Sequence, residues 1–134
     1  MKQLVIAITF LTLISINSVM AHEGHNKTPG AVAAPHGGVM QGLENIYLEL
    51  LVDASGIKLY PYDHDLKPVA LKDVKIEGSV TFPKKTKAEK VALTSEGDAF
   101  SAKVDAKGAH RYTLEVTVTH QGKKEKTKFN VEPQ

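Results

Sequence analysis

The sequence contains no cysteine, and it has no large excess of charge of either sign. The absence of cysteine excludes disulfides, a thiolate metal site, a lipoprotein anchor and a cysteine nucleophile, so hydrophobic packing has to stabilise the fold. The 17 basic residues nearly balance the 15 acidic ones, which leaves a formal net charge of +2. A charge this small argues against a protein that binds nucleic acid or an anionic membrane through its overall electrostatic field.

Long hydrophobic runs are also missing. The longest apolar stretch, residues 4–16, follows Lys2 and is interrupted by threonine and serine. It falls short of the about 20 residues that span a bilayer. Together with the small residue Ala21 this pattern predicts a secretory signal peptide, residues 1–21, rather than a retained membrane anchor. The protein is therefore expected in the periplasm, with His22 as its first residue and with no membrane insertion after cleavage.

The rest of the chain divides into a tail and one domain. Residues 22–35 contain few apolar side chains among their prolines and glycines, which predicts a flexible tail. In residues 36–134 short runs alternate apolar and polar side chains between turn signals, most cleanly over 112–118. Seven or eight short strands predict an all-β fold, an immunoglobulin-like β-sandwich. The lysine-rich stretch 84–90 is interpreted as a solvated loop.

Six histidines supply the candidate chemistry, and two of them lie at the predicted mature N-terminus. His22 would present its free amine together with its imidazole, and His25 would add a third nitrogen. Nitrogen donors of this kind suit Cu(II), Ni(II) and Zn(II). The alternative is a tail in which both histidines are incidental.

His36 and His64 lie inside the predicted domain. His36 precedes two glycines, which allow the backbone to bend sharply beside the ring. Aspartates flank His64 on both sides, and they would either orient its ring, bind a metal directly, or simply form a turn. We predict both as metal ligands, together with His22 and His25.

His110 and His120 are weaker candidates. His110 is expected in solvent before a strand, and His120 is expected as a half-buried residue at a strand end. If every connection reverses the chain, His36 and His110 lie at one end of the sandwich, and His64 and His120 lie at the other. A strand of about six residues separates those ends by about 20 Å.

Several short motifs suggest a known family. They are His-Gly-Gly at 36–38, Tyr-Leu-Glu-Leu at 47–50, Leu-Tyr-Pro-Tyr-Asp at 59–63, Lys-Pro-Val at 67–69, and the strand segment 108–118. Over about residues 36–131 the chain resembles the N-terminal β-domain of periplasmic adaptor (membrane-fusion) subunits of heavy-metal efflux pumps, and the small stand-alone proteins related to that domain. The resemblance implies a β-sandwich that binds or hands over transition-metal ions, with His36 and His64 at matching positions. Because the adaptors continue into further domains, it implies a carrier, a buffer or an efflux accessory, with a pump component as the protein partner.

The leading expectation is therefore a non-enzymatic periplasmic protein that binds Cu(II) or Zn(II). A soft Cu(I) site is disfavoured, because cysteine is absent and Met40 is the only methionine in the expected mature chain. One alternative is a metal-independent β-sandwich that acts as an interaction module. Another is a copper enzyme with a terminal histidine brace, which a flexible tail would have difficulty preorganising. The sequence contains no nucleophile-elbow motif and no phosphate-binding glycine loop.

Overall fold

The structure is a computed structural model that describes residues 32–133. These residues form nine strands and a single 3-10 turn, Leu71–Asp73. The strands are β1 Val39–Gly42, β2 Tyr47–Asp53, β3 Gly56–Tyr62, β4 Val74–Thr81, β5 Glu89–Val91, β6 Thr94–Glu96, β7 Ala99–Ala102, β8 Tyr112–His120 and β9 Lys123–Val131. The predicted signal peptide, most of the predicted tail, and the candidate ligands His22 and His25 lie outside the described residues.

The nine strands form two antiparallel sheets. One sheet has five strands in the order β1-β2-β3-β7-β6, and the other has four in the order β5-β4-β8-β9. The all-β sandwich predicted from the alternation is confirmed, whereas the immunoglobulin-like arrangement stays a prediction. The prediction of seven or eight strands was too low, because residues 89–96 form two separate three-residue strands, one in each sheet. The interpretation of all of 84–90 as a loop was wrong at its end, where β5 begins.

The core lies between the inner faces of the two sheets. Alternate residues of a strand point to the same face, and the inward set of β2 includes Leu48 and Leu50, both at most 2% exposed. Leu114 and Val116 of β8 face them from the other sheet, and Phe129 of β9 completes the contact. The residues of β2 and β3 that point away from the core contribute to a second, smaller hydrophobic cluster, which includes Tyr60 and Tyr62. The candidate site lies beside this cluster.

β9 is one of the two edge strands of the four-stranded sheet, and its lysine-rich sequence suits that position. Lys126 and Lys128 lie 3.9 and 3.4 Å from the carboxylate of Glu115 on β8. Charged side chains along an open edge oppose pairing with another chain. Within residues 32–133, no helix has the length and apolar character needed to cross a membrane.

Candidate functional site

The loop before β1 folds over the outer face of the five-stranded sheet, the face directed away from the core. The Gly37 N–H donates to the Ala34 carbonyl at 3.1 Å, and Gly37 has a left-handed φ of +76°. Gly38 lies so close to β2 that a Cβ atom there would be 2.2 Å from the Leu50 carbonyl oxygen. The two glycines therefore allow the chain to turn and to approach the sheet closely, and this places His36 on the outer face.

Glu49 of β2 lies beneath this loop and is completely buried. Its Oε1 accepts the backbone N–H groups of His36 and Gly38, each at 2.9 Å. Its Oε2 accepts the Tyr62 hydroxyl at 3.1 Å and lies 3.1 Å from Nδ1 of His36. A buried carboxylate is tolerated only when such donors compensate for its lost hydration. Glu49 thus holds the loop, the histidine ring and β3 together.

The hydrogen bonds fix the proton on one nitrogen of the His36 ring. Burial is the main cause that raises the pKa of Tyr62 far above its usual range, and the hydrogen bond to Glu49 is the next. The phenol therefore stays protonated, and its O–H donates a hydrogen bond to the Glu49 carboxylate. The Tyr62 oxygen, 2.7 Å from Nδ1 of His36, and Oε2 of Glu49, 3.1 Å from it, then share the one N–H of that nitrogen as acceptors. We therefore place a proton on Nδ1, and in the neutral ring the lone pair lies on Nε2.

The His36 ring is held in place and is partly exposed. The ring stacks on Tyr60, with the centroids 3.9 Å apart and the planes 17° apart. The side chain is 36% exposed, and Nε2 has no hydrogen-bond partner among residues 32–133. The stacking and the hydrogen bonds restrict ring motion while one ring nitrogen stays accessible. This is the arrangement found at metal-ligating histidines, in which one nitrogen binds the ion and the other donates to a carboxylate or carbonyl.

His64 is fixed in a different way. Its Nε2 lies 2.9 Å from the carbonyl oxygen of Glu44, and its ring packs edge-on against Tyr47 at a centroid distance of 5.2 Å. Nε2 must donate in this contact, because a carbonyl only accepts. The lone pair of the neutral ring then lies on Nδ1.

The aspartates beside His64 shape the turn. Oδ1 of Asp63 accepts the backbone N–H groups of Asp65 and Lys67, both at 2.9 Å. Leu66 within this turn has a left-handed φ of +60°. No hydrogen bond joins either carboxylate to the His64 ring in the described part of the chain. The hydrogen bonds of Asp63 fit the turn-forming interpretation, and direct metal binding by the aspartates stays a prediction.

His36 and His64 lie on two sides of one cross-strand tyrosine pair. Tyr47 is opposite Tyr62 in the β2–β3 register. His36 lies 6.4 Å from the Tyr62 ring, and His64 lies 5.2 Å from the Tyr47 ring. The expectation that these histidines occupy opposite ends of the sandwich was wrong, because β1 is short and the loop before it crosses the outer face.

The described residues nevertheless do not contain a complete metal site. Among residues 32–133, no group of three or more histidine, cysteine, aspartate or glutamate side chains could hold an ion. His110 is exposed, as expected. His120 is half-buried at the end of β8, also as expected, with Nδ1 at 3.1 Å from the Asp73 carbonyl oxygen. The described residues therefore hold His36 and His64 in fixed orientations, each as a single potential ligand.

Sequence reasoning missed Glu49 and Tyr62 as members of the site. A signal was present, because Glu49 is the one charged residue between Tyr47 and Val52 in an otherwise apolar strand. It shares its outward parity with Tyr60 and Tyr62 across the β2–β3 register. A charge on an outward position is ordinarily solvated, and only the folded loop shows that this one is buried.

No protein family, curated protein or solved structure matches this chain. The geometry around His36 is therefore the main indication of function. The resemblance to efflux adaptors stays an expectation based on the short motifs.

Proposed function

We propose that this is a periplasmic protein that binds a divalent transition-metal ion, Cu(II) or Zn(II), as a carrier, a buffer or an accessory to heavy-metal efflux. The observation that supports this most strongly is the His36 ring, whose Nδ1 faces the buried carboxylate of Glu49 while Nε2 is open. A carboxylate in this position sets the direction of the ring. Imidazole nitrogen suits both copper and zinc.

The hydrogen bonds of Glu49 favour a binding role over a catalytic role. Its two oxygens already accept from four donors, three N–H groups and one hydroxyl. A general base needs a lone pair within hydrogen-bond reach of the proton that it removes, and this carboxylate is fully engaged. Its role in the proposal is to position His36.

One histidine does not hold a metal ion tightly, so other ligands have to complete the site. His25 precedes His36 by about 11 residues, a length that can reach about 36 Å when extended. Its imidazole and the amine and imidazole of His22 are therefore able to reach the open Nε2. A short linker of this kind gives an effective ligand concentration in the millimolar range. His64, with its lone pair on Nδ1, is the further candidate from the domain.

The exposure of the His36 ring suits exchange of the ion with a partner. With 36% of the side chain in contact with solvent, an incoming ligand can approach the metal without unfolding the loop. A component of a heavy-metal efflux pump is the partner that the proposal implies.

The test is calorimetric titration of the purified periplasmic protein with Cu(II) and Zn(II), after intact mass has established its N-terminus. Four proteins are compared: the wild type, His36→Ala, the double variant His22→Ala with His25→Ala, and His110→Ala as the control. Changes to outer-shell partners of metal sites typically weaken affinity 10- to 100-fold, so loss of the ligand itself should cost at least about tenfold.

The outcomes separate the competing functions. Saturable binding near one equivalent that weakens in His36→Ala, and not in His110→Ala, supports the proposal. Binding that depends on His22 and His25 alone makes the tail an independent chelator and contradicts the role of His36. Absence of binding by the processed wild type favours a metal-independent interaction module.

A further inference from the structure

A cavity of about 500 Å³ opens at the end of the sandwich where β4 finishes and β8 begins. It is lined only by residues 82–85 and 106–111, and is called the basic pocket below. Each segment makes a tight turn: the Lys85 N–H donates to the Phe82 carbonyl at 2.9 Å, and the Ala109 N–H donates to the Ala106 carbonyl at 2.8 Å. The two turns face each other across the pocket, although they lie more than 20 positions apart in the chain.

Positive charge is concentrated in this pocket. Lys84, Lys85, Lys107 and Arg111 line it. The Glu89 carboxylate lies 3.0 Å from the Lys85 ammonium and 2.9 Å from that of Lys107, so it compensates part of the charge of both. Among residues 32–133, Lys84 and Arg111 form no ion pair. The lining therefore has a clear positive excess in a chain whose overall charge is nearly balanced.

The Phe82 ring forms an apolar surface in the pocket, and two of the lysine ammoniums lie over it. Phe82 is 5% exposed, and the ammonium groups of Lys85 and Lys107 lie 5.9 and 5.6 Å from its ring centroid. Attraction to the ring face and the shared contact with Glu89 keep the two ammoniums side by side. His110 adds an exposed imidazole at the rim. An adjoining cavity shares Lys85 and Arg111 but includes the carboxylate of Glu132, so the positive excess is greatest on the His110 side.

We infer that the basic pocket binds a phosphate group. A phosphate monoester carries about −1.5 to −2 charges at neutral pH, which matches the several cations of the lining better than a single carboxylate does. The planar guanidinium of Arg111 can donate two parallel hydrogen bonds to phosphate oxygens, and lysine ammoniums bind phosphate as point charges. Inorganic phosphate, a soluble phosphorylated molecule and an anionic lipid headgroup all offer phosphate oxygens to these donors, although the phosphodiester of a lipid carries only one negative charge. The inference does not depend on metal binding, because the pocket shares no residue with the site around His36.

The experiment is a titration of the purified, isotope-labelled protein with inorganic phosphate, followed by the backbone amide shifts in its NMR spectrum. We expect saturable shifts at residues 84–85 and 106–111. The variant Lys84→Gln with Arg111→Gln removes two charges without breaking an intramolecular ion pair, and it should weaken binding at least tenfold. The matched control, Lys72→Gln with Lys124→Gln, removes the same charge at the other end of β4 and β9 and should leave the affinity within twofold. Unchanged amide positions outside the pocket establish that both variants are folded.

A second arm identifies the source of the phosphate. The same proteins are sedimented with vesicles of phosphatidylglycerol, and with vesicles of phosphatidylcholine as the uncharged comparison. Saturable binding of inorganic phosphate supports a soluble ligand, whereas pocket-dependent sedimentation with phosphatidylglycerol alone supports a lipid headgroup. Shifts that spread over all lysines, or equal effects of the two double variants, reduce the interaction to non-specific charge attraction and overturn the inference. If phosphate causes no shifts and no vesicle binding depends on the pocket, the inference is overturned as well.

Discussion

Substitution of Glu49 by glutamine tests the site most directly, because it preserves the shape of the side chain and removes only its charge. The amide oxygen can still accept the N–H groups of His36 and Gly38 in place of Oε1. The amide nitrogen then replaces Oε2, where it meets the Tyr62 hydroxyl and the Nδ1–H of His36. An amide nitrogen only donates, so these contacts fail as they stand.

A change of tautomer would repair the contact between the ring and residue 49. If the proton moves from Nδ1 to Nε2, Nδ1 can accept from the glutamine amide. Nε2 then carries a proton and no longer offers a lone pair to a metal ion. Glu49→Gln is therefore expected to weaken Cu(II) and Zn(II) binding even though residue 49 contacts no metal.

Two magnitudes follow. Outer-shell substitutions at metal sites typically cost about 10- to 100-fold in affinity, which corresponds to about 1.4 to 2.7 kcal/mol. Hydrogen bonds to a charged group contribute about 1.5 to 3 kcal/mol each, against about 0.5 to 1.5 for neutral pairs. With two contacts weakened or inverted at Oε2, we expect the free energy of unfolding to fall by about 2 to 4 kcal/mol.

The assay combines metal calorimetry, urea unfolding and NMR assignment of the protonated nitrogen of His36. Glu77→Gln serves as the control, because Glu77 is 59% exposed and pairs with Lys75 only at the surface, where such pairs contribute about 0 to 1 kcal/mol. A Glu49→Gln protein that keeps the wild-type metal affinity and a protonated Nδ1 would refute the proposed role of the carboxylate. Loss of stability without loss of affinity would leave Glu49 purely structural.

Three further predictions concern the ionisation of buried tyrosines, the close approach of Gly38 and the role of His64. Burial raises the pKa values of Tyr62 and Tyr112 in the folded state. Their contribution to the free energy of unfolding is therefore complete below the unfolded pKa of about 10 and is lost as the pH rises above it. Urea unfolding at increasing pH, with tyrosinate absorbance, should show this loss, and Tyr62→Phe should make the loss smaller. Gly38→Ala places a Cβ 2.2 Å from a backbone oxygen, which should lower the free energy of unfolding by about 1 to 3 kcal/mol and reduce metal affinity; unchanged urea curves would contradict the close approach. His64→Ala removes the donor to the Glu44 carbonyl and should cost about 1 kcal/mol in urea unfolding and more metal affinity than His110→Ala, so equal affinities would remove His64 from the site.

The strands were predictable because alternation is a local property of the sequence. The pattern over 112–118 identifies β8, and the alternate positions that it predicts to face the core are buried in the structure. The short strands within 89–96 were not separable, since three residues carry too little alternation and the change of sheet between them is a non-local event. The burial of Glu49 could not be predicted either, because it also depends on a non-local contact. Glu49 occupies an outward-facing position of β2, and the loop that covers it comes from a different part of the chain.

The same hydrogen bonds that make Glu49 tolerable inside the protein also determine where His36 points. A carboxylate at this position can remain buried only while the loop at 34–38 is closed, because three of its four donors belong to that loop. Opening the loop would break three contacts to a charged group, at a net cost of about 4 kcal/mol or more. Exchange of a bound ion therefore should not require the loop to open. Under the proposed function it should proceed at the exposed edge of the ring, where an incoming ligand replaces another ligand of the ion while His36 stays in place. An oriented histidine of this kind, completed by ligands that can leave, suits a protein that hands a metal on better than one that stores it.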